Sequence, residues 1–448
     1  MTNIMRFRQT FVSSLFVLTT LLATEAIAQP ARPAPAPAPA AAKATTPDPA
    51  AAAPLAIVGG RVHTGTGEVL EDATILLEKG LVQKIGKGLA VPAGITTIDA
   101  KGAIVTPGFV DALTAIGLVE VSQEESTRDD NPGGKDPIRA AFRAADGYNP
   151  VSSVVGITRA EGVTSAGIVP TGGLFSGQSA WADLDGETRE VSLSPVPLAL
   201  HVHLDGGFDS DRGGPAAALL LAREVFDDAR TFQKNRAAWE RNQSRAFAAS
   251  RLDLEALTEA LAGRIPVVFH VDRAADILAA VTLAKEFGLR PVIAGGAEAW
   301  KVASRLAESK VAVMVNPLEP GPTTFDALGM RDDNAALLHA AGVPVVITTN
   351  DVHNARKLRQ LAGNAVRAGL PHAAAIAAIT RGPAEALGLG AKYGTLAPGK
   401  VANLVVWSGD PLEIASRPLA VVIRGKKVDL SNRQSALFAR YRKLPIAR

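Results

Sequence analysis

The sequence predicts an α/β fold built around a closed (β/α)₈ barrel of the TIM type. Between residues 106 and 391, short apolar runs of strand length alternate with longer Ala/Leu-rich helical stretches. This alternation is typical of repeated β–α units around a parallel sheet. On both sides of that region, β-rich runs separated by turn residues predict antiparallel hairpins.

The first 54 residues predict no folded structure. Arg6 and Arg8 precede an apolar stretch at residues 11–22 and a small-residue motif that ends at Ala28, so residues 1–28 are expected to be a cleaved signal peptide. Residues 29–54 are almost entirely Pro and Ala, which predicts a disordered tether. The mature protein is therefore expected to be exported, either periplasmic or secreted, without a transmembrane segment.

Seven buried strands are predicted in the central region, over about 280 residues, which favours a closed barrel over an open sheet. An eighth strand has no clear signal. The predicted strands are Gly108 to Leu113, Val163 to Val169, Leu198 to His203, Ile265 to Val271, Pro291 to Ala294, Val311 to Val315 and Val343 to Thr348. The Gly-rich stretch from Thr171 to Ser179 is expected to be a loop.

Composition limits the chemistry and the partners. The 47 Lys and Arg nearly balance 44 Asp and Glu, so neither nucleic-acid nor membrane-surface binding is predicted. The absence of Cys excludes disulfides, thiolate nucleophiles and Cys-bound metals. A small molecule is the expected partner. A long polar helix from Ala222 to Arg251 additionally indicates self-association as a homo-oligomer.

Three stretches resemble the amidohydrolase superfamily, in particular its exported imidazolonepropionase-like and prolidase-like branch. They are Ile104 to Asp111, Ala374 to Leu389 and Gly394 to Pro411. The resemblance implies a small composite β-sandwich made of residues 55–105 and 392–430, and an amidohydrolase-like barrel at 106–391. Residues 431–448 would form a C-terminal tail.

The same resemblance implies a binuclear metal site that activates water for the hydrolysis of C–N bonds. The HxH pair of the first strand would fall at positions 113 and 115, but Leu113 and Ala115 cannot bind metal. A bridging carbamylated lysine is excluded as well, because no lysine lies between Asp136 and Gln233. The usual site is therefore expected to be largely lost.

The remaining positions of that site are only partly kept. His270 falls at the ligand position of the family's fifth strand, whereas small residues follow Ala294 at the position of the family's sixth. At the position of the family's eighth strand, Asn350 replaces the aspartate and Asp351 follows it. One imidazole and one carboxylate are too few for a catalytic zinc, which normally has three protein ligands.

Two other groups of residues are candidates. His270, Asp351 and His353 are expected at the carboxyl ends of strands, where they could act as catalytic acid and base. His201, His203 and Asp205 would share one face of a strand and could hold one divalent metal such as zinc. A polar strand edge without metal is the alternative for the second group, and a helix cap is the alternative for Asp351.

Two hypotheses for function follow. The first is an amidohydrolase-family hydrolase that acts on non-peptide or dipeptide-like C–N bonds through an altered site, with one divalent metal or none. The second is a catalytically inactive protein of this fold that binds a small ligand or an envelope partner. Convergence of His270, Asp351 and His353 would favour the enzyme.

Overall fold

The computed structural model describes residues 52–194, 197–204, 214–241, 243–318, 321–322 and 324–443. The predicted signal peptide, nearly all of the tether, and Asp205 lie outside these residues. Strands in the described part are β1 (Leu55–His63), β2 (Val69–Glu78), β3 (Leu81–Lys87), β4 (Thr96–Asp99), β5 (Ile104–Pro107), β6 (Phe109–Thr114), β7 (Val163–Ile168), β8 (Phe175–Gln178), β9 (Ala180–Asp183), β10 (Leu200–His203), β11 (Val267–Val271), β12 (Pro291–Gly295), β13 (Ala312–Val315), β14 (Val345–Ile347), β15 (Leu404–Trp407), β16 (Pro418–Ile423) and β17 (Lys426–Lys427).

The helices lie mainly between the central strands. They are α1 (Ala144–Gly147), α2 (Ser153–Arg159), α3 (Arg189–Ser192), α4 (Pro215–Glu240), α5 (Arg251–Leu261), α6 (Ala274–Phe287), α7 (Ala303–Glu308), α8 (Asn334–Ala340), α9 (Leu358–Arg367), α10 (His372–Ala378), α11 (Arg381–Ala386) and α12 (Arg433–Tyr441). Among the described residues, no helix is long and apolar enough to cross a membrane.

An eight-stranded sheet joins the two ends of the folded chain. Its order is β17-β16-β15-β5-β1-β2-β3, with β4 paired to β1. The link between the ends is the antiparallel pairing of β5 with β15, in which Val105 lies opposite Val406. The apolar residues of this sheet, which include Ile57, Val105 and Leu404, form a buried cluster of their own.

The central strands form two further sheets, and all seven predicted strands are confirmed. One sheet has the order β14-β13-β12-β11-β10-β8, and the other has the order β6-β7-β9. Strands β10 to β14 run parallel to one another, as do β6 and β7. The mixed α/β fold is therefore confirmed, whereas strand pairing by itself does not show a closed barrel.

The segment after β7 differs from the prediction. Residues 171–179 were expected to form a loop, but Phe175–Gln178 is strand β8, which pairs antiparallel with β10. After Ser179 the chain continues directly into β9, which pairs antiparallel with β7. Gly177 has a φ of +123°, and a Cβ there would lie 2.4 Å from the Phe142 carbonyl oxygen, so a close backbone approach explains this glycine.

The predicted helix from Ala222 to Arg251 is also wrong in its bounds. Helix α4 begins at Pro215, a residue well suited to a first turn, and ends at Glu240. Arg251 instead begins α5, because the Ser250 side chain accepts the backbone N–H of Asp253 as a cap.

Strands β6 and β7 are in close contact at Gly167. A Cβ at this position would lie 2.1 Å from the backbone oxygen of Ala112. We expect Gly167→Ala to lower the free energy of unfolding by about 2 kcal/mol, since the two strands must move apart. Chemical denaturation measures this change.

Gly214→Ala is the matched control for that variant, because no atom of the described residues lies within 4 Å of a Cβ built there. The control should change stability by less than about 1 kcal/mol. Equal stability of the two variants would contradict the packing argument.

Candidate active site

A cavity of about 230 Å³ lies at the carboxyl ends of the parallel strands β11 to β14. This end of a parallel sheet is where α/β proteins bind ligands. The lining is mostly polar at these strand ends and includes His270, Asp272, Asn316, Asn334, Thr348 and Asn350, together with apolar Leu113, Ala294 and Met314. The cavity can therefore hold a small polar molecule.

The parallel pairing of β10 with β11 brings three histidines together. His203 lies opposite His270 in the register, and their rings stack with centroids 4.0 Å apart. His201 Nδ1 lies 3.0 Å from His270 Nε2, so one of these nitrogens donates a hydrogen bond and the other accepts it. The sequence had assigned these histidines to two separate candidate groups, and the structure places them in one cluster.

Burial keeps two of these imidazoles neutral. Burial, and to a lesser extent the neighbouring His203, lowers the pKa of His201 to about 3. Burial, with His203 and His201 nearby, also holds the pKa of His270 well below its usual value. His201 Nε2 is buried and has no hydrogen-bond partner within the described chain.

Asp111 is a buried carboxylate that the sequence did not single out as a candidate site residue. It lies on β6 and accepts hydrogen bonds from Thr348 Oγ1 at 2.5 Å, from the Thr349 backbone N–H at 3.1 Å and from the Thr349 hydroxyl. Burial raises its pKa to about 6 despite these hydrogen bonds. The sequence did contain a signal for this residue, because Asp111 is the one charged residue in the otherwise apolar run Phe109 to Leu113.

Asp272 is a second residue that the candidate groups omitted. It follows β11 two positions after His270 and lines the same cavity. Its Oδ1 accepts the Ala297 backbone N–H at 3.1 Å. Gly295 makes room for it, because a Cβ there would lie 2.7 Å from Asp272 Oδ1. The cavity thus has an imidazole and a carboxylate from one strand end.

Asp351 and His353 make their contacts elsewhere. Asp351 accepts the backbone N–H of Asn354 at 3.1 Å and its side-chain amide at 2.9 Å, so it binds the residue that precedes the short helical turn Ala355–Lys357. His353 Nε2 lies 3.0 Å from the Glu120 carbonyl oxygen, in an exposed position. Of the described residues, His270 and Asn350 line the cavity, whereas Asp351 and His353 do not. Their catalytic role stays a prediction.

A metal site needs several ligating side chains around one point. Leu113 and Ala115 are buried and apolar, and Asn350, three residues after β14, has a φ of +49°. The described residues contain no group of three or more His, Asp or Glu side chains arranged to hold a metal ion. These residues do not fit a binuclear site. The trio of His201, His203 and Asp205 is only partly described, so it stays a prediction.

Comparisons with known proteins agree with this architecture. Residues 244–430 match the profile of the Amidohydrolase family. Amidohydrolase tasK of Hapsidospora irregularis is 25% identical over 393 residues, which are 78% of this chain but 39% of that protein. The chain therefore spans less than half the length of that relative. An imidazolonepropionase of Cupriavidus pinatubonensis is 26% identical over 399 residues, 80% of this chain and 90% of that enzyme.

Solved structures lead to the same family. The crystal structure of an amidohydrolase from Thermotoga maritima superimposes with a TM-score of 0.77 at 28% identity, covering 85% of this chain and all of that one. The superposition thus covers most of this chain and the whole of that protein.

Proposed function

Because this chain belongs to the amidohydrolase superfamily, we propose that it is a hydrolase of non-peptide or dipeptide-like C–N bonds in small molecules. The observation that carries this proposal is the polar cavity at the strand ends, lined by both His270 and Asp272. We further propose that the binuclear metal site of the family is largely lost, since apolar Leu113 and Ala115 replace its first pair of ligands.

The proposal includes a closed barrel. Strands β8 and β9 follow each other in sequence but belong to different sheets, so residues 175–183 connect the two sheets along one edge. Along the other edge, the Thr348 hydroxyl accepts the Leu113 N–H at 3.0 Å and lies 3.2 Å from the Leu113 oxygen. Residues 55–105 and 392–430 then form the accompanying β domain.

The chain's own residues supply the chemistry in this proposal. The Asp272 carboxylate takes a proton from a water molecule that attacks the substrate carbon, and it returns this proton to the leaving nitrogen as the C–N bond breaks. The neutral His270 imidazole forms a hydrogen bond to the bound substrate. His201 holds the ring of His270 through their 3.0 Å contact and thereby fixes its orientation. The amide side chains at the strand ends bind the polar groups of the substrate.

A ligand-binding protein without catalysis is the second candidate. The lowered pKa values of His201 and His270 favour it, because an imidazole whose pKa is held well below its usual value is a weak base at neutral pH. A metal held by His201, His203 and Asp205 is a separate alternative, and the experiment below distinguishes all three.

The test combines metal analysis with an activity assay. The mature chain, purified without chelator, is compared with the His201→Ala/His203→Ala double variant by elemental analysis. Both are assayed against N-acyl amino acids, cyclic amides and dipeptides. We expect hydrolysis by a preparation that holds less than about 0.1 metal ion per chain, since three protein ligands are the usual requirement for a catalytic zinc.

A cavity-filling variant tests the location of the site. Ala297→Trp adds a large ring to the cavity wall, and we expect it to lower kcat/KM at least about tenfold for any substrate that is hydrolysed. Ala216→Trp, at an exposed position of α4, is the control and should keep full activity. Substrate binding without turnover would support the second candidate. Stoichiometric metal that the double variant loses would overturn the proposed metal loss.

A further inference from the structure

The helix α12 is exposed along its whole length. None of its nine residues is buried, and Leu437, Phe438 and Tyr441 are 43%, 68% and 60% exposed. A helix of this length is marginal in water unless something stabilises it. Its support consists of a capping box at Asn432, its position beside α2, and one hydrogen bond from Arg356 to Gln434.

The exposed apolar side chains share one face. Leu437 and Tyr441 are four residues apart, and Phe438 lies next to Leu437, so the three cover about 100° of the helix surface. Aromatic rings beside an aliphatic side chain are typical of helices that lie at a membrane interface. An apolar face of this kind needs a partner that buries it.

The charge of the segment identifies the partner. Residues 433–443 contain Arg433, Arg440, Arg442 and Lys443 and no acidic residue. The four cations flank the apolar face and attract an anionic surface. A second copy of the same helix would bring these like charges together, which disfavours self-association through this face.

We propose that α12 docks the protein on an anionic phospholipid bilayer. Leu437, Phe438 and Tyr441 insert at the boundary between headgroups and acyl chains, while the arginines and Lys443 pair with lipid phosphates. The capping box starts the helix in solution, so that the apolar face is formed before contact with lipid.

Vesicle sedimentation of the purified full chain tests this proposal. Phosphatidylcholine vesicles are compared with vesicles that contain 30% phosphatidylglycerol, in low and in high salt. We expect the partition coefficient to be at least about tenfold higher on the anionic vesicles, and to fall in high salt. Leu437→Ser/Phe438→Ser and Arg440→Gln/Arg442→Gln should each lower it by about tenfold.

Matched variants serve as controls. Ile414→Ser/Leu419→Ser removes two exposed apolar side chains elsewhere, and Arg305→Gln/Arg367→Gln removes two exposed charges. Both should bind like the unmodified chain, and equal thermal unfolding would show that every variant is folded. Equal binding to the two kinds of vesicle would overturn the proposal. So would a dimer that dissociates in Leu437→Ser/Phe438→Ser, since the face would then belong to a second copy.

Discussion

Replacing Asp111 with alanine is expected to lower the free energy of unfolding by about 3 kcal/mol. In this variant the buried Thr349 N–H loses its acceptor, and the Thr348 and Thr349 hydroxyls each lose the shorter of their two contacts. An unsatisfied buried donor costs about 1 to 3 kcal/mol. Removing the buried charge recovers some stability, because the rise in pKa from 3.8 to about 6 corresponds to about 3 kcal/mol. The lost hydrogen bonds outweigh this gain.

Urea denaturation at pH 7 measures the effect, with Asp99→Ala as the control at an exposed carboxylate. The control should change stability by less than about 0.5 kcal/mol. Asp111→Asn keeps the size of the side chain and should fall between the two. If Asp111→Ala were as stable as the control, the three hydrogen bonds would not hold β6 to the residues after β14.

The buried histidine pair is expected to make the protein sensitive to acid. The pKa of His201 falls from 6.5 to about 3 on folding, through burial and then the proximity of His203. As the pH drops below 6.5, the unfolded chain takes up a proton that folded His201 cannot. Stability from this residue is therefore present above pH 6.5 and is lost toward pH 3, by about 3 kcal/mol between pH 7 and pH 4.

Two carboxylates oppose this effect in the unmodified chain. Burial raises the pKa of both Asp111 and Asp183 to about 6, so each contributes stability that is lost as the pH rises from about 4 to 6. The effect of His201 on stability must therefore be measured as the difference in stability between a His201 variant and the unmodified chain.

The stability of His201→Gln minus that of the unmodified chain should increase by about 3 kcal/mol between pH 7 and pH 4. A constant loss of packing in the variant does not affect this change. His339→Gln makes the same replacement at an exposed position on α8 and serves as the control. A difference for His201→Gln that does not change with pH would mean that His201 is protonated in the folded protein.

The parallel strands could be predicted because each is a short apolar run that forms a buried strand independently of its neighbours. The sequence predicts a helix from Ala274 to Phe287, and helix α6 has these bounds, since the run is rich in Ala and Leu and is followed by Gly288 in the left-handed C-cap conformation. These features depend on local sequence alone.

The missed features depend on residues that are distant in sequence. Strand β8 was missed because glycine is typical of loops. Only the structure shows that Gly177 allows the close approach of the Phe142 carbonyl oxygen. The contact between His201 and His270 requires the β10–β11 register, which neither segment specifies alone. The basic α12 segment was overlooked because a whole-chain charge of +3 averages it with acidic regions elsewhere.

The pairing of β5 with β15 also constrains how the chain can fold. Trp407 donates a hydrogen bond to Thr106, and these two residues are 301 positions apart in sequence. Strand β5 therefore has an unpaired edge until nearly the whole chain has left the ribosome. Contacts of such high sequence separation slow folding and lengthen the time during which a chain can aggregate.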